Sequence, residues 1–216
     1  MNRAEEDYLK TIYELTIEQN IDVVKIQDLS NKLSLTNQTV NEMIKKIASK
    51  DMVEYLPYKG VNLTNKGKKI AEKMLRSHRV WEVFLTEKLG FNWREVHQDA
   101  EALEHSTSEK VVDALYEYLG KPEYCFHGNP IPLKNGGIPK LTHKRISDLK
   151  PGERFKIVRV IDDEDLLEFL DKMKIRLNDE FILKNTNAAL GIYEIEGKAS
   201  ISLNDMISKM IFIEEL

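Results

Sequence analysis

The chain has 216 residues, 42% of them apolar, with 32 Lys/Arg against 36 Asp/Glu and one cysteine. That length exceeds one ordinary core and predicts two or three small globular domains, and a single cysteine excludes an intramolecular disulfide. With no apolar run long enough to span a bilayer, and a start from Met1 to Lys10 too charged for a signal peptide, the expectation is a cytoplasmic protein with no membrane partner.

The net charge of −4 hides an asymmetry, because residues 21 to 80 carry twelve Lys/Arg against six Asp/Glu. A basic segment on an acidic protein is the footprint of a nucleic-acid partner, although an ordinary solvated face has the same charge. The pattern within the segment decides between them. Arg3 to Glu18 reads as a helix with Tyr8, Leu9, Ile12, Tyr13 and Leu15 inward. Ile26 to Lys32 follows as a short second helix, entered from Val23-Val24-Lys25, and Leu33-Ser34-Leu35 makes a turn. Thr36 then N-caps a third helix running to about Lys50, with Val40, Met43, Ile44 and Ile47 on its buried face. Thr36, Asn37, Gln38, Thr39 and Asn41 remain outward near its start, suited to base edges, and Lys45, Lys46 and Lys50 further along are suited to phosphates. This is helix-turn-helix geometry. Met52 to Leu56 and Val61 to Leu63 pair as a ribbon around Pro57-Tyr58-Lys59-Gly60, a wing with Lys59 at its tip for the sugar-phosphate backbone.

Thr64 caps a long helix from Asn65 to about Lys88, which carries His78 and Glu82 on one face. Met74, Leu75, Trp81, Leu85 and Leu89 share that face, so a carboxylate sits in an apolar stripe and needs a cation, a donor network or a metal ion. In the next helix Glu101, Glu104 and His105 stand at i, i+3 and i+4 beside the seam of Ala100, Leu103, Thr107 and Val111. A lone Glu-x-x-Glu is ordinarily a solvated acidic face; with an adjacent His and a second His/Glu helix, the pattern reads as a metal site. Cys125-Phe126-His127 adds a thiolate and an imidazole that can converge on one ion, the alternative being a buried cysteine beside a surface histidine. The helix after Glu95, with Val80, Val83 and Phe84 outward on the long helix, suggests a two-fold dimer interface.

From Gly128 to Pro139 the chain is turn-rich and reads as a linker. Beyond it, Phe155 to Ile161, Glu180 to Leu183, Ile192 to Ile195, Ala199 to Leu203 and Lys209 to Ile213 read as short strands, with Asp163 to Lys172 as an interrupting helix. These make a small barrel. His97 and His143 read as surface histidines. No phosphate loop, dinucleotide glycine pattern or nucleophile elbow occurs. An enzyme would have to rest on the His/carboxylate cluster, and a di-metal bundle needs Glu-x-x-His on paired helices, which adjacent Glu104-His105 does not repeat.

The order helix-turn-helix, wing, long helix with His78 and Glu82, then Glu101-Ala-Leu-Glu104-His105, with Glu5-Glu6-Asp7-Tyr8-Leu9 at the start, resembles the iron- and manganese-dependent repressors named after the diphtheria toxin repressor. The resemblance covers nearly the whole chain. It implies a mainly α protein with small β parts: a winged helix-turn-helix domain at 1–72, a helical dimerisation and metal-binding domain with trailing linker at 73–140, and an SH3-like, FeoA-type domain at 141–216. It implies one ion site from Asp7, Glu101, Glu104 and His105 with His78 close by. A second, from Glu82, Cys125, His127 and Asp162, is implied as in streptococcal-type manganese and iron regulators; Asp163 and Asp165 are alternatives for its last ligand. Asp7 and Glu101 stand where iron-responsive members carry Met and Cys, and these hard donors argue for Mn(II) over Fe(II), with Zn(II) able to occupy the sites in vitro. Lys10 stands where two-domain manganese regulators carry Glu. The implied function is a homodimeric, metal-dependent repressor that binds a palindromic operator in double-stranded DNA and controls metal-uptake genes. The alternatives are an iron-responsive regulator of the same family and a winged-helix DNA-binding protein indifferent to metal.

Overall fold

The computed structural model describes residues 2–187 and 189–216. Helix α1 (Arg3–Tyr13) is capped by Asn2, whose side chain accepts from the Glu5 N–H, and buries Tyr8, Leu9, Ile12 and Tyr13 at the spacing expected of an amphipathic helix. Its predicted continuation to Glu18 is wound differently, because Glu14–Glu18 form a π-helical turn. Helix α2 (Ile26–Leu33) ends on Ser34 in the left-handed region at φ 54°, and α3 (Asn37–Ala48) starts from Thr36, whose hydroxyl accepts from the Thr39 N–H at 3.2 Å. Val40, Ile44 and Ile47 face inward, packed with α1 and Leu29 in the first core.

Strands β1 (Val53–Leu56) and β2 (Gly60–Leu63) pair antiparallel as the wing, with Val53 opposite Leu63. Gly60 is required where it stands: at φ +141° its backbone approaches Val24 so closely that an added Cβ would lie 2.2 Å from the Val24 carbonyl oxygen. The bridge between Val24 and Val61 uses that approach to tie the wing to the helical head.

Helix α4 (Asn65–Leu89), capped by the Thr64 side chain, runs from the wing into a layer with α5 (Val96–Glu104) and α6 (Glu109–Tyr118). Here one expectation is corrected. Val80 and Val83 do not face outward; they are 0% and 2% exposed and pack within the same chain against Val112, Cys125 and Ile131. The cause is α6 and the 125–131 loop folding back over that side of α4. Phe84 remains half-buried at the surface, edge-to-face with Trp81 at 5.7 Å, and Leu103 is also only partly covered. The expected linker is likewise docked at its start, since Asn129 and Ile131 are buried.

The last part is β3 (Arg154–Val160), α7 (Glu164–Met173), β4 (Glu180–Asn187), β5 (Ile192–Glu196), β6 (Ser200–Asn204), α8 (Asp205–Met210) and β7 (Ile211–Glu215). The strands form one antiparallel sheet in the order β6-β5-β4-β3-β7, the SH3-like unit, around Phe155, Ile157, Leu167, Leu183, Ile195 and Ile213. The last strand starts later than Lys209, because Asn204 caps α8 by accepting from the Ile207 N–H at 2.8 Å and draws Lys209 into that helix.

Candidate metal centre

Helix α1 brings Glu6, Asp7 and Lys10 against Glu101, Glu104 and His105 at the end of α5. His105 Nδ1 lies 2.8 Å from Glu6 Oε2, and its Nε2 lies 2.9 Å from Asp7 Oδ1 and 3.3 Å from Glu104 Oε1. Neither Nε2 nor Asp7 Oδ1 has a hydrogen-bond partner, although both atoms are buried. With Nδ1–H donated to Glu6, Nε2 is the ring nitrogen that faces the Asp7 carboxylate, and in the neutral ring its lone pair is available to a cation held between them. Candidate ligand atoms of Asp7, Glu101, Glu104 and His105 all lie within 4.8 Å of one another, so these residues fit a divalent ion. Burial pushes the Asp7 carboxyl above its ordinary range, whereas for Glu101 the same effect of burial is outweighed by the Lys10 ammonium, which holds its carboxyl below. Lys10 Nζ donates to Glu101 Oε2 at 2.6 Å and to the two Glu104 oxygens at 2.9 and 3.1 Å.

His78 lies alongside, with Nδ1 2.5 Å from Glu104 Oε2 and Nε2 3.2 Å from Glu82 Oε1. Burial and Lys10 pull its pKa down, but the Glu82 and Glu104 carboxylates win and raise it to about 9. Glu82 is shared by two further groups, one with Cys125 and His127 and one with His78, His97 and Asp162. His127 Nε2 lies 3.2 Å from the Trp93 carbonyl oxygen and its Nδ1 lies 3.3 Å from Glu82 Oε1; burial pulls the pKa of the ring down, but the Glu82 carboxylate wins and holds it well above its ordinary value. Burial raises the Cys125 thiol above its ordinary value. Gly128 makes this loop possible, since at φ +77° a Cβ would lie 2.1 Å from the Val158 carbonyl oxygen of β3.

Asp162 does not gather with Cys125. Its Oδ2 is 2.6 Å from His97 Nδ1 and its Oδ1 is 3.8 Å from His127 Nε2. Asp163 caps α7 by accepting from the Leu166 N–H, and Asp165 is exposed, so neither neighbour replaces it. His97 is therefore no simple surface histidine: it is half-buried and belongs to the His78, Glu82 and Asp162 group. The signal was available, because His97 and Glu101 stand at i, i+4 on α5. His143 is also half-buried, and burial together with Arg159 lowers its pKa. Glu6, the partner that orients His105, was legible only as an acid beside Asp7.

In the helix-turn-helix, Thr36, Asn37, Gln38 and Thr39 are exposed, and Asn41 is half-buried with its amide donating to the Asn37 carbonyl. Asn37 donates to Gln27 and Gln38 to Glu42, exposed contacts that DNA can replace. Lys45 and Lys59 are exposed and, among the described residues, without an ion-pair partner. Lys46 has a partner: with Lys50 it holds buried Glu5, at 2.9 and 2.7 Å, and docks α1 on α3. Tyr58 stands beside Lys59 at the wing tip, fully exposed at φ 64°, a residue that sequence reasoning passed over.

A winged helix-turn-helix joined through one helix to clusters of carboxylate, imidazole and thiol defines a metal-dependent DNA-binding regulator. The comparisons agree. Residues 1–61 match the family model described as iron dependent repressor, N-terminal DNA binding domain; residues 64–133 match iron dependent repressor, metal binding and dimerisation domain; residues 144–215 match the FeoA domain. The chain belongs to the iron-dependent repressor family, whose members are transcriptional repressors and not enzymes. It is 27% identical over 224 residues to the iron-dependent repressor IdeR of Mycobacterium leprae, covering 98% of this chain and 96% of that one. Among solved structures, the manganese regulator SloR superposes with a TM-score of 0.89 at 31% identity over 98% of each chain. A manganese-dependent transcriptional repressor in complex with manganese gives 0.90 at 28% identity over 98% of this chain and 100% of the other.

Proposed function

We propose that this chain is a homodimeric repressor whose operator affinity is switched on by Mn(II) held by Asp7, Glu101, Glu104 and His105. The observation that carries this reading is the approach of His105 Nε2 to Asp7 Oδ1 at 2.9 Å, two buried polar atoms from different elements that have no hydrogen-bond partner among the described residues. Three carboxylates and one imidazole are a hard donor set, which suits Mn(II) better than the softer sites that favour Fe(II). Bound Mn(II) supplies a positive centre shared by both helices. Asp7 then ties α1, and with it the DNA-reading head, to α5 in the dimerising layer, so that the two recognition helices of the dimer are held at one spacing.

Thr36, Asn37, Gln38, Thr39 and Asn41 read the half-sites of a palindromic operator, and Lys45, Lys46 and Lys59 contact its phosphates. The partly covered Trp81, Phe84 and Leu103 supply the dimer face. A second ion is held by Glu82, Cys125 and His127, while Asp162 stands with His78 and His97 in the neighbouring group around the same Glu82. The chain divides functionally at 1–72, 73–140 and 141–216, acts in the cytoplasm and represses metal-uptake genes; among the described residues no helix is long and apolar enough to cross a membrane.

The test is to select binding sequences from random duplex DNA with full-length protein and Mn(II), and then titrate Mn(II), Fe(II) and Zn(II) against the selected duplex. Palindromic sequences bound only with metal, with Mn(II) and Fe(II) acting at saturation and Mn(II) at least as effective, are expected. Equal binding in the presence of a chelator would overturn the proposal.

A further inference from the structure

Lys10 is the one residue of the first cluster that has no lone pair to give an ion when protonated, yet its ammonium sits among the candidate ligands. Its Nζ is 2.6 Å from Glu101 Oε2, 2.9 and 3.1 Å from the Glu104 oxygens and 3.3 Å from His78 Nδ1, and the residue is 6% exposed. We propose that the Lys10 ammonium is a resident cation which the effector ion must displace from Glu101 and Glu104, so that Lys10 sets the ion concentration at which the switch operates. The inference rests on the reading that Asp7, Glu101, Glu104 and His105 hold that ion.

Glu104 is 3% exposed, and a carboxylate so buried is costly without a positive partner. Lys10 provides one from α1 and thereby docks α1 on α5. A divalent ion needs the same carboxylate oxygens, and an ammonium left beside it is repelled. Lys10 has somewhere to go: the cavity of about 370 Å³ lined by the candidate ligands Asp7, His78, Glu82 and Glu101 is lined also by Glu14 and Glu18, and Glu14 lies four residues further along, in the π-helical turn that continues α1. The exchange moves the tie between the helices from Lys10 to Asp7, three residues away on α1, just under one turn. Because every divalent ion meets the same ammonium, Lys10 lowers affinity for all of them. It sets a threshold and leaves selectivity to the ligands.

The experiment uses full-length, metal-free protein. Mn(II) binding is measured by calorimetry, and melting temperature is measured without and with Mn(II), for wild type, Lys10→Met, Lys10→Arg and His105→Ala. Lys10→Met should melt lower when metal-free, bind Mn(II) tighter by about tenfold or more, as expected on removing a cation next to the ion, and gain more in melting temperature from Mn(II); Lys10→Arg should stay near wild type. If Lys10→Met does not fold, reductive methylation of wild type read by mass spectrometry serves instead, with Lys10 protected in the metal-free protein and modified several-fold faster with Mn(II). A folded Lys10→Met with unchanged or weaker Mn(II) affinity, or a Lys10 equally protected with and without Mn(II), overturns the displacement. Undiminished Mn(II) binding by His105→Ala overturns the underlying site and the displacement with it.

Discussion

The Nδ1–H of His105 donates to Glu6 Oε2 across 2.8 Å, and this contact between neighbouring elements decides which ring nitrogen is left to face Asp7. Glu6→Ala should therefore leave the fold intact yet weaken Mn(II) binding by about 10- to 100-fold, the usual effect of losing the group that orients a ligating histidine. Calorimetric titration checks it; an unchanged affinity means that Glu6 does not orient the ring.

Glu104→Ala and His105→Ala should give folded dimers that keep weak nonspecific DNA binding but gain no operator affinity from added metal. Glu82→Ala and Cys125→Ala should lose only part of the response, because their cluster takes no ligand from α1. Operator titrations with and without Mn(II) separate the two classes, and a full response from the Glu104 variant would remove the proposed switch.

Metal selectivity should run against affinity. Zn(II) stands above Mn(II) in the Irving-Williams order and Cys125 favours it further, so Zn(II) should bind at least as tightly. A smaller ion satisfied by Glu101, Glu104, His105 and a water need not draw Asp7 to its working position, so operator affinity at saturating Zn(II) should be lower than with Mn(II). Equal affinities at saturation would show that ligand geometry does not select.

On the DNA side, Asn37→Ala or Gln38→Ala should cost about 1 to 3 kcal/mol at particular base pairs, whereas Lys45→Ala and Lys59→Ala should weaken all sequences alike and reduce the salt slope by about one. Lys46→Ala should differ from both, lowering thermal stability as well, because Lys46 holds Glu5. Competition assays across operator variants and salt concentrations, with melting curves, distinguish the three behaviours.

The same Glu5 predicts part of the acid response. The side chains of Lys50 and Lys46 hold its carboxyl down to about 2, below the unfolded value near 4.5. A carboxylate with a depressed folded pKa adds stability that is fully present above the unfolded value and is lost as pH falls toward the folded one. Glu5→Gln should thus be less stable than wild type at neutral pH, the difference shrinking between pH 4.5 and 2. Denaturant melts at several pH values check the sign.

Much of this molecule was legible in its sequence because the signals are local. Helical spacing placed Tyr8, Leu9 and Ile12 inward, Thr36 and Thr64 supplied the caps, and the i, i+3, i+4 spacing of Glu101, Glu104 and His105 put donors on one turn. Hydrogen bonds and side-chain faces within a few residues follow from the backbone period alone. What covers a face does not. Val80 and Val83 form an apolar stripe in any reading, but only the return of α6 and the 125–131 loop makes it interior. Lys10 looks like an exposed basic residue until α5, more than ninety positions later, sets Glu101 and Glu104 around it. Asp162 joins His97 through the packing of β3's end against α5, and Arg159 of β3 reaches back across 141 residues to the Glu18 carbonyl at 2.8 Å and fastens the last domain to the π-turn of the first. Spacing along the chain selects which residue types stand together on one element; the docking of separate elements, set by burial and by pairing of charges far apart in sequence, decides which of them meet.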